Sequence, residues 1–141
     1  MALGVSGTDF VCVPVTDIEK ARDFYGGTLG LEFGKQWGEM PGLEFETGNL
    51  TIAVMESDAF GQRFAPHTHP IALQVEDVEA ARGELEGQGI EFAQDTIDSG
   101  VCHMAFFADP FGNGLMLHHR YAPKGEKADD LEGTVAEIGG A

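Results

Sequence analysis

The sequence predicts an α+β protein made of two βαβββ modules, each with one sheet face left uncovered by its helix. Three observations predict it. A duplication runs through the chain, period-two strands precede acid-capped helices, and glycines punctuate the joins. Laying residues 10–28 over residues 70–88 pairs Val15 with Val75, Asp17 with Asp77, Glu19 with Glu79, Ala21 with Ala81, Arg22 with Arg82 and Gly27 with Gly87. A shift of one residue then sets Gly30-Leu31-Glu32-Phe33 on Gly89-Ile90-Glu91-Phe92. Matches held in register across a strand, a cap and a helix indicate two copies of one unit. A solenoid would need more repeats.

Each copy opens on a strand. Val11, Val13 and Val15 alternate with Cys12 and Pro14, and Ile71, Leu73 and Val75 alternate with Ala72 and Gln74; that is the period of a pleated strand. Thr16-Asp17-Ile18-Glu19 then offers an N-cap oxygen and a carboxylate for the free amides of a helix start. Glu76-Asp77-Val78-Glu79 repeats the acidic start. Ile18, Ala21 and Tyr25, and Val78, Ala81 and Leu85, give each helix an apolar stripe. Gly26-Gly27 and Gly87-Gln88-Gly89 are expected to end the helices, because glycine accepts a left-handed backbone. Strands are expected next near residues 32–37, 43–47 and 50–56, the last two joined by a turn at Gly48-Asn49. In the second copy they fall near residues 90–94, 101–108 and 115–119, with Asp109-Pro110-Phe111-Gly112-Asn113-Gly114 as the final turn. The expected organisation is therefore an N-terminal extension (1–9), a first module (10–56), a linker (57–69), a second module (70–122) and an acidic tail (123–141).

Composition excludes several functions. The chain has 141 residues, 8 Lys plus Arg against 24 Asp plus Glu, and a net charge of −16. So acidic a surface repels phosphate backbones and anionic lipid, so neither nucleic acid nor membrane is expected as a partner. No apolar run approaches the length of a membrane helix, and the N-terminus lacks the basic and apolar regions of a signal peptide, which predicts a cytoplasmic protein. Cys12 and Cys102 form no CxxC pair and are expected as buried, reduced thiols. Glycines occur without a GxGxxG or P-loop pattern, so nucleotide binding has no support.

Period two also assigns sheet faces. Val11, Val13, Val15, Leu50, Ile52, Val54, Ile71, Leu73, Val75, Leu115 and Leu117 should lie under the helices. The opposite face should carry Phe10, Cys12, Pro14, Thr51, Ala53, Met55, Pro70, Ala72, Gln74, Met116, His118 and Arg120. That second set is mostly apolar with a few polar heads. It suits either a pocket for an organic molecule or a second core between the modules. For residues 101–108 both phases are apolar, so alternation does not choose. Trp37 reads as a core residue or as a stacking wall for a planar ligand.

The duplication, the run from Val15 to Tyr25 ending in Leu29-Gly30-Leu31-Glu32-Phe33, and the closing Asp109-Pro110-x-Gly112-Asn113 resemble the vicinal oxygen chelate superfamily. That group includes glyoxalase I, bleomycin-resistance proteins, fosfomycin-resistance enzymes and extradiol dioxygenases. The resemblance covers residues 8–121 and implies a glyoxalase-like fold, a curved mixed sheet around a concave cavity. It also implies pairing of chains, hence an expected homodimer. Metal-using members carry a histidine at the start of each module, which falls here on Phe10 and Pro70. Their carboxylates fall on Ala53 and Met116. Phe, Pro and Ala side chains donate no lone pair, and a thioether suits hard divalent ions poorly. No metal is therefore expected at that site. Phe111 also replaces the second acid of the family's usual DPDGN turn. By the same resemblance, Met104 and Phe106 point to the concave side and His103 away from it.

The expected function is metal-free binding of a small, largely apolar organic molecule, for sequestration, resistance or secondary-metabolite handling. Its expected contacts are Phe10, Cys12, Ala53, Met55, Pro70, Ala72, Gln74, Met104, Phe106, Met116, His118 and Arg120. No cofactor is expected. The alternative is an enzyme, a glyoxalase-like lyase, an isomerase or an extradiol-type dioxygenase. It would use a divalent metal relocated to His69, His118 and a carboxylate, or His118 as catalytic general base. An interaction module without a ligand is the third reading.

Overall fold

The computed structural model describes residues 3–123. The expected acidic tail falls, from residue 124 on, outside the described residues. The described residues divide into two compact units, one of residues 3–68 with 109–113, the other of residues 69–108 with 114–123.

The first unit holds β1 (Phe10–Val15), α1 (Ile18–Arg22), a π-helical turn (Asp23–Thr28), β2 (Glu32–Gln36), β3 (Gly42–Glu46), β4 (Thr51–Glu56) and a 3-10 turn (Ser57–Phe60). Its sheet has the order β1-β4-β3-β2, with β1 and β4 parallel and the other pairs antiparallel. The second unit holds β5 (Ile71–Gln74), α2 (Val78–Gly87), β6 (Ile97–Asp98), β7 (Cys102–Ala108) and β8 (Gly114–Arg120). Its sheet has the matching order β5-β8-β7-β6, again with one parallel pair, β5 and β8. The duplicated sequence thus folds twice into one topology.

The helix starts follow from capping. Asp17 accepts from the Glu19 and Lys20 amides, and Asp77 accepts from the Ala80 amide. The cap of the first helix is Asp17 rather than Thr16. A further partner comes from afar: the Ile18 amide donates to Glu56 Oε1 at 2.8 Å. That bond satisfies an N–H which no residue of the helix can reach.

The first helix does not stop at its glycines. It widens into the π-helical turn, with Leu29 N–H donating to Phe24 C=O. Phe24 and Tyr25 are both buried there, their rings edge-to-face at 5.1 Å. Gly26 serves packing: a Cβ on it would sit 3.2 Å from the Phe45 ring, and Phe45 is fully buried. Beneath lie Val13, Val15, Leu43, Ile52 and Val54, all at most 1% exposed. The period-two assignment of this face holds for Val13, Val15, Ile52 and Val54, while Val11 is half-buried. Leu50 is half-buried in the turn before β4.

The second unit departs from expectation at residues 90–94, which form no strand; its edge strand is β6. Arg82 pins the segment instead. Its guanidinium lies 4.7 Å from the centre of the Phe92 ring and donates to Gln94 C=O and Thr96 Oγ1. Phe92 packs on Phe107 at 5.1 Å. Side chains thus take the place of a ladder, and one backbone bond, Ala93 N–H to Phe106 C=O, remains. The duplicate pair in the first unit makes the same contact, Arg22 over Phe33 at 5.3 Å. Leu73 and Val75 are half-buried, less covered than Val13 and Val15 in β1, while Ile71 and its counterpart Val11 are both half-buried. The two cysteines also differ: Cys102 is buried as expected, but Cys12 is exposed.

The turn joining β7 to β8 belongs with the first unit, and a buried polar network explains why. Asp109 is 5% exposed and accepts four bonds. They come from the Tyr25 hydroxyl (2.7 Å), Asn113 Nδ2 (2.8 Å), and the amides of Phe111 and Asn113 (both 2.9 Å). Asn113, fully buried, donates to Pro14 C=O and accepts from the His67 amide. Gly112 turns the chain at φ +92°. Burial raises the Tyr25 phenol pKa far above its usual range, and the Asp109 charge and hydrogen bond push the same way. A group whose folded pKa is raised stabilises the fold fully below its unfolded pKa, near about 10 for tyrosine, and loses that contribution as pH climbs beyond it. Of the two tyrosines, we therefore expect Tyr25 to ionise only as the protein unfolds at high pH. A spectrophotometric titration of wild type against Tyr25→Phe reads this directly; Tyr25 ionising reversibly in the folded protein contradicts it.

Candidate functional site

Each sheet has a face turned from its helix, and each is described by itself. In the first unit, the strand register sets Phe10 beside Thr51 and Glu46, Cys12 beside Ala53 and Glu44, and Pro14 beside Met55 and Gly42. Trp37, one residue beyond β2, lies against this face. Its indole covers Gly42, where a Cβ would come within 2.7 Å of the ring. Indole Nε1–H donates to Glu44 Oε2 at 2.6 Å. Phe10 and Phe60 flank the indole edge-to-face, with ring centres at 6.1 and 5.8 Å. Thr51 hydroxyl donates to Glu46 at 2.7 Å.

In the second unit, the rows are Gln74, His118 and Met104; Ala72, Met116 and Phe106; and Arg120 with Cys102. The register thus gives residues 102–106 the phase that alternation left open, with Met104 and Phe106 beside His118 and Met116. His103 lies on the other side, opposite His119, whose ring nitrogen Nδ1 contacts Val75 C=O at 3.1 Å. Val101, Cys102 and Met104 form a small buried cluster, with Ile97, Phe106, Met116 and Ala122 packed against it. Ser99 Oγ lies 3.0 Å from Cys102 Sγ. On the His103 side, Asp98 accepts from the Gly100 amide and the Tyr121 hydroxyl, which together hold its carboxyl below the usual range.

Of the expected contact residues, Phe10, Cys12, Ala53 and Met55 fall in the first unit and the other eight in the second. Phe10 is 45% exposed, and Cys12, Ala72 and Gln74 are exposed. Pro70, Phe106, Met116, His118 and Arg120 are half-buried. Ala53 has no exposed surface, and Met55 and Met104 have under a tenth. Those three therefore offer a ligand little surface. Glu44 and Phe60 escaped the sequence reading. Glu44 had a signal: in Leu43-Glu44-Phe45-Glu46 the apolar residues take the helix side and send both acids to the other face.

Two sheets of order β1-β4-β3-β2, each built by one half of a duplicated chain, decide the family when set beside known proteins. The Glyoxalase/Bleomycin resistance protein/Dioxygenase superfamily matches residues 7–117. The chain belongs to that superfamily. A glyoxalase family protein from Bacillus anthracis is similar at 30% identity and a TM-score of 0.71, over 85% of this chain and 99% of that one. A superfamily member from Sphaerobacter thermophilus shares the fold at 24% identity and a TM-score of 0.72, over 84% and 100% of the chains. TnmS3, an antibiotic-binding protein from Streptomyces sp. CB03234, shares it at 24% identity and 0.71, over 84% and 99%. No curated protein matches the chain. Superfamily members that use a metal need imidazole and carboxylate donors, and Phe10, Ala53, Pro70 and Met116 supply none. Among the described residues, no three His, Cys, Asp or Glu side chains gather to hold an ion, so the relocated set of His69, His118 and a carboxylate is not assembled either. At those four positions the side chains present offer no hard donor to a divalent ion. No helix among the described residues is long and apolar enough to cross a membrane.

Proposed function

We propose that this glyoxalase-superfamily protein binds a small, largely apolar organic molecule without a metal ion, as a sequestering or resistance protein or in secondary-metabolite handling. The carrying observation is chemical. Phe10, Ala53, Pro70 and Met116 stand where the superfamily's resemblance places metal ligands, and each offers carbon or a soft thioether in place of a hard donor. In the first unit Phe10 and Phe60 flank Trp37, and in the second Met116 is joined by Met104 and Phe106. Burial of apolar ligand surface against such residues contributes about 25 cal/mol per Å2. Gln74, His118 and Arg120 would orient the ligand's polar groups. The fold-level likeness to an antibiotic-binding protein supports the reading. A cytoplasmic homodimer completes it.

The test is a thermal-shift screen of planar and apolar compounds, run with and without a chelator, beside metal analysis of protein purified without a histidine tag. A true ligand at about 100 times its Kd should add about 2.7 kcal/mol of stability with the chelator present. A midpoint that responds to divalent cations alone overturns the proposal. The enzyme alternative is favoured by one feature, the place of His118 in a row with Gln74 and Met104. It predicts turnover that is lost in His118→Ala while binding persists.

A further inference from the structure

The first unit holds a carboxylate fixed beside an aromatic ring. Glu44 stands on the face opposite the helix, beside Ala53 in the ladder. Trp37 fixes its carboxylate through one 2.6 Å bond to Oε2. Among the described residues Glu44 makes no ion pair. Lys35, its neighbour in the ladder, is exposed and makes none either. Glu46 follows on the same face, and Glu32 lies opposite Glu46. Trp37 adjoins this carboxylate through its indole N–H, and the rings of Phe10 and Phe60 in turn flank Trp37. An aromatic surface attracts a cation through its ring quadrupole, and a fixed carboxylate beside it adds a counter-charge. An anionic ligand would meet repulsion here and from a chain of charge −16.

We propose that Trp37, Phe10, Phe60 and Glu44 form a subsite for an organic cation, a protonated amine carried on a planar or aromatic body. The proposal rests on the reading of the protein as a binder of organic molecules and names the charge of what it binds. Trp37 would stack on the body, and the free oxygen side of Glu44 would receive the ammonium N–H. Gly42 is part of the device, since any side chain there would lift the indole from the face.

Trp37 is the single tryptophan, so its fluorescence reports on this subsite directly. Three probes of similar shape separate the terms: 9-aminoacridine as a planar cation, acridone as a neutral body and acridine-9-carboxylate as an anion. We expect 9-aminoacridine to quench Trp37 saturably and to bind tightest. Glu44→Gln should weaken it by about ten-fold or more and leave acridone within about two-fold. Glu79→Gln, which removes an equal charge from exposed α2, should change neither by more than about two-fold. Gly42→Ala, read by calorimetry, should weaken the cation as well by displacing the indole. Equal affinity for acridone and 9-aminoacridine, or a Glu44→Gln variant that binds the cation as wild type does, overturns the cation assignment and leaves the apolar-binding reading standing. Equal loss in Glu79→Gln makes the attraction diffuse and also overturns it. Failure of all three probes overturns the subsite, while the broader compound screen alone decides the binding function.

Discussion

Replacing Asp109 by alanine should cost about 3–5 kcal/mol of folding stability, the range seen when one member of a buried charged network is removed. The carboxylate accepts four hydrogen bonds in a position that is 5% exposed. Alanine leaves the Tyr25 hydroxyl, one Asn113 side-chain amide hydrogen and the backbone amides of Phe111 and Asn113 without their acceptor, and each buried orphan costs about 1–3 kcal/mol. Asp109→Asn should cost less, because the amide oxygen still accepts while its NH2 group faces donors. Urea denaturation followed by circular dichroism gives both values. A loss below about 1 kcal/mol for the alanine variant would mean that water replaces the lost acceptor, and the network account would fail.

Phe45→Ala should be comparably severe, at about 3–5 kcal/mol, by a different mechanism. Phe45 has no exposed surface. Its ring meets Tyr25 at 6.1 Å and Phe33 at 5.8 Å, and Gly26 approaches it closely from the helix. Removing the ring leaves a cavity walled by two aromatics and a glycine backbone, none able to collapse fully into it. The double variant Phe45→Ala with Gly26→Ala offers a check. The new methyl group would point into the vacated space, so Gly26→Ala should be tolerated better in the Phe45→Ala background than alone. Chemical denaturation of the four proteins completes the cycle. Strict additivity would show that the two residues do not share the space we assign them.

Much of the fold was legible because its signals are local and repeated. Asp17 and Asp77 cap helices through atoms two and three residues away. The alternation in Val11–Val15 and Leu115–Leu117 needs nothing but the pleat to pick a face. Residues 90–94 were misread as a strand because their apolar, β-favouring composition ignores Arg82, whose grip on Phe92, Gln94 and Thr96 comes from another element. The π-helical turn was hidden in the same way. Gly26-Gly27 looks like a helix end until Phe45, from a distant strand, demands a residue without a side chain.

The candidate site divides along the same line. Which residues lack a hard donor is a property of side-chain chemistry, so Phe10, Ala53, Pro70 and Met116 declare it without coordinates. Which residues gather is a property of distance. Trp37 and Glu44 stand seven residues apart across a bulged hairpin, and Phe60 arrives from beyond β4. The buried union of Tyr25 with Asp109 spans 84 residues. Periodicity and capping act over a few residues and are written in the chain; contacts between distant segments depend on the register and packing of whole elements, and those exist only once the chain has folded.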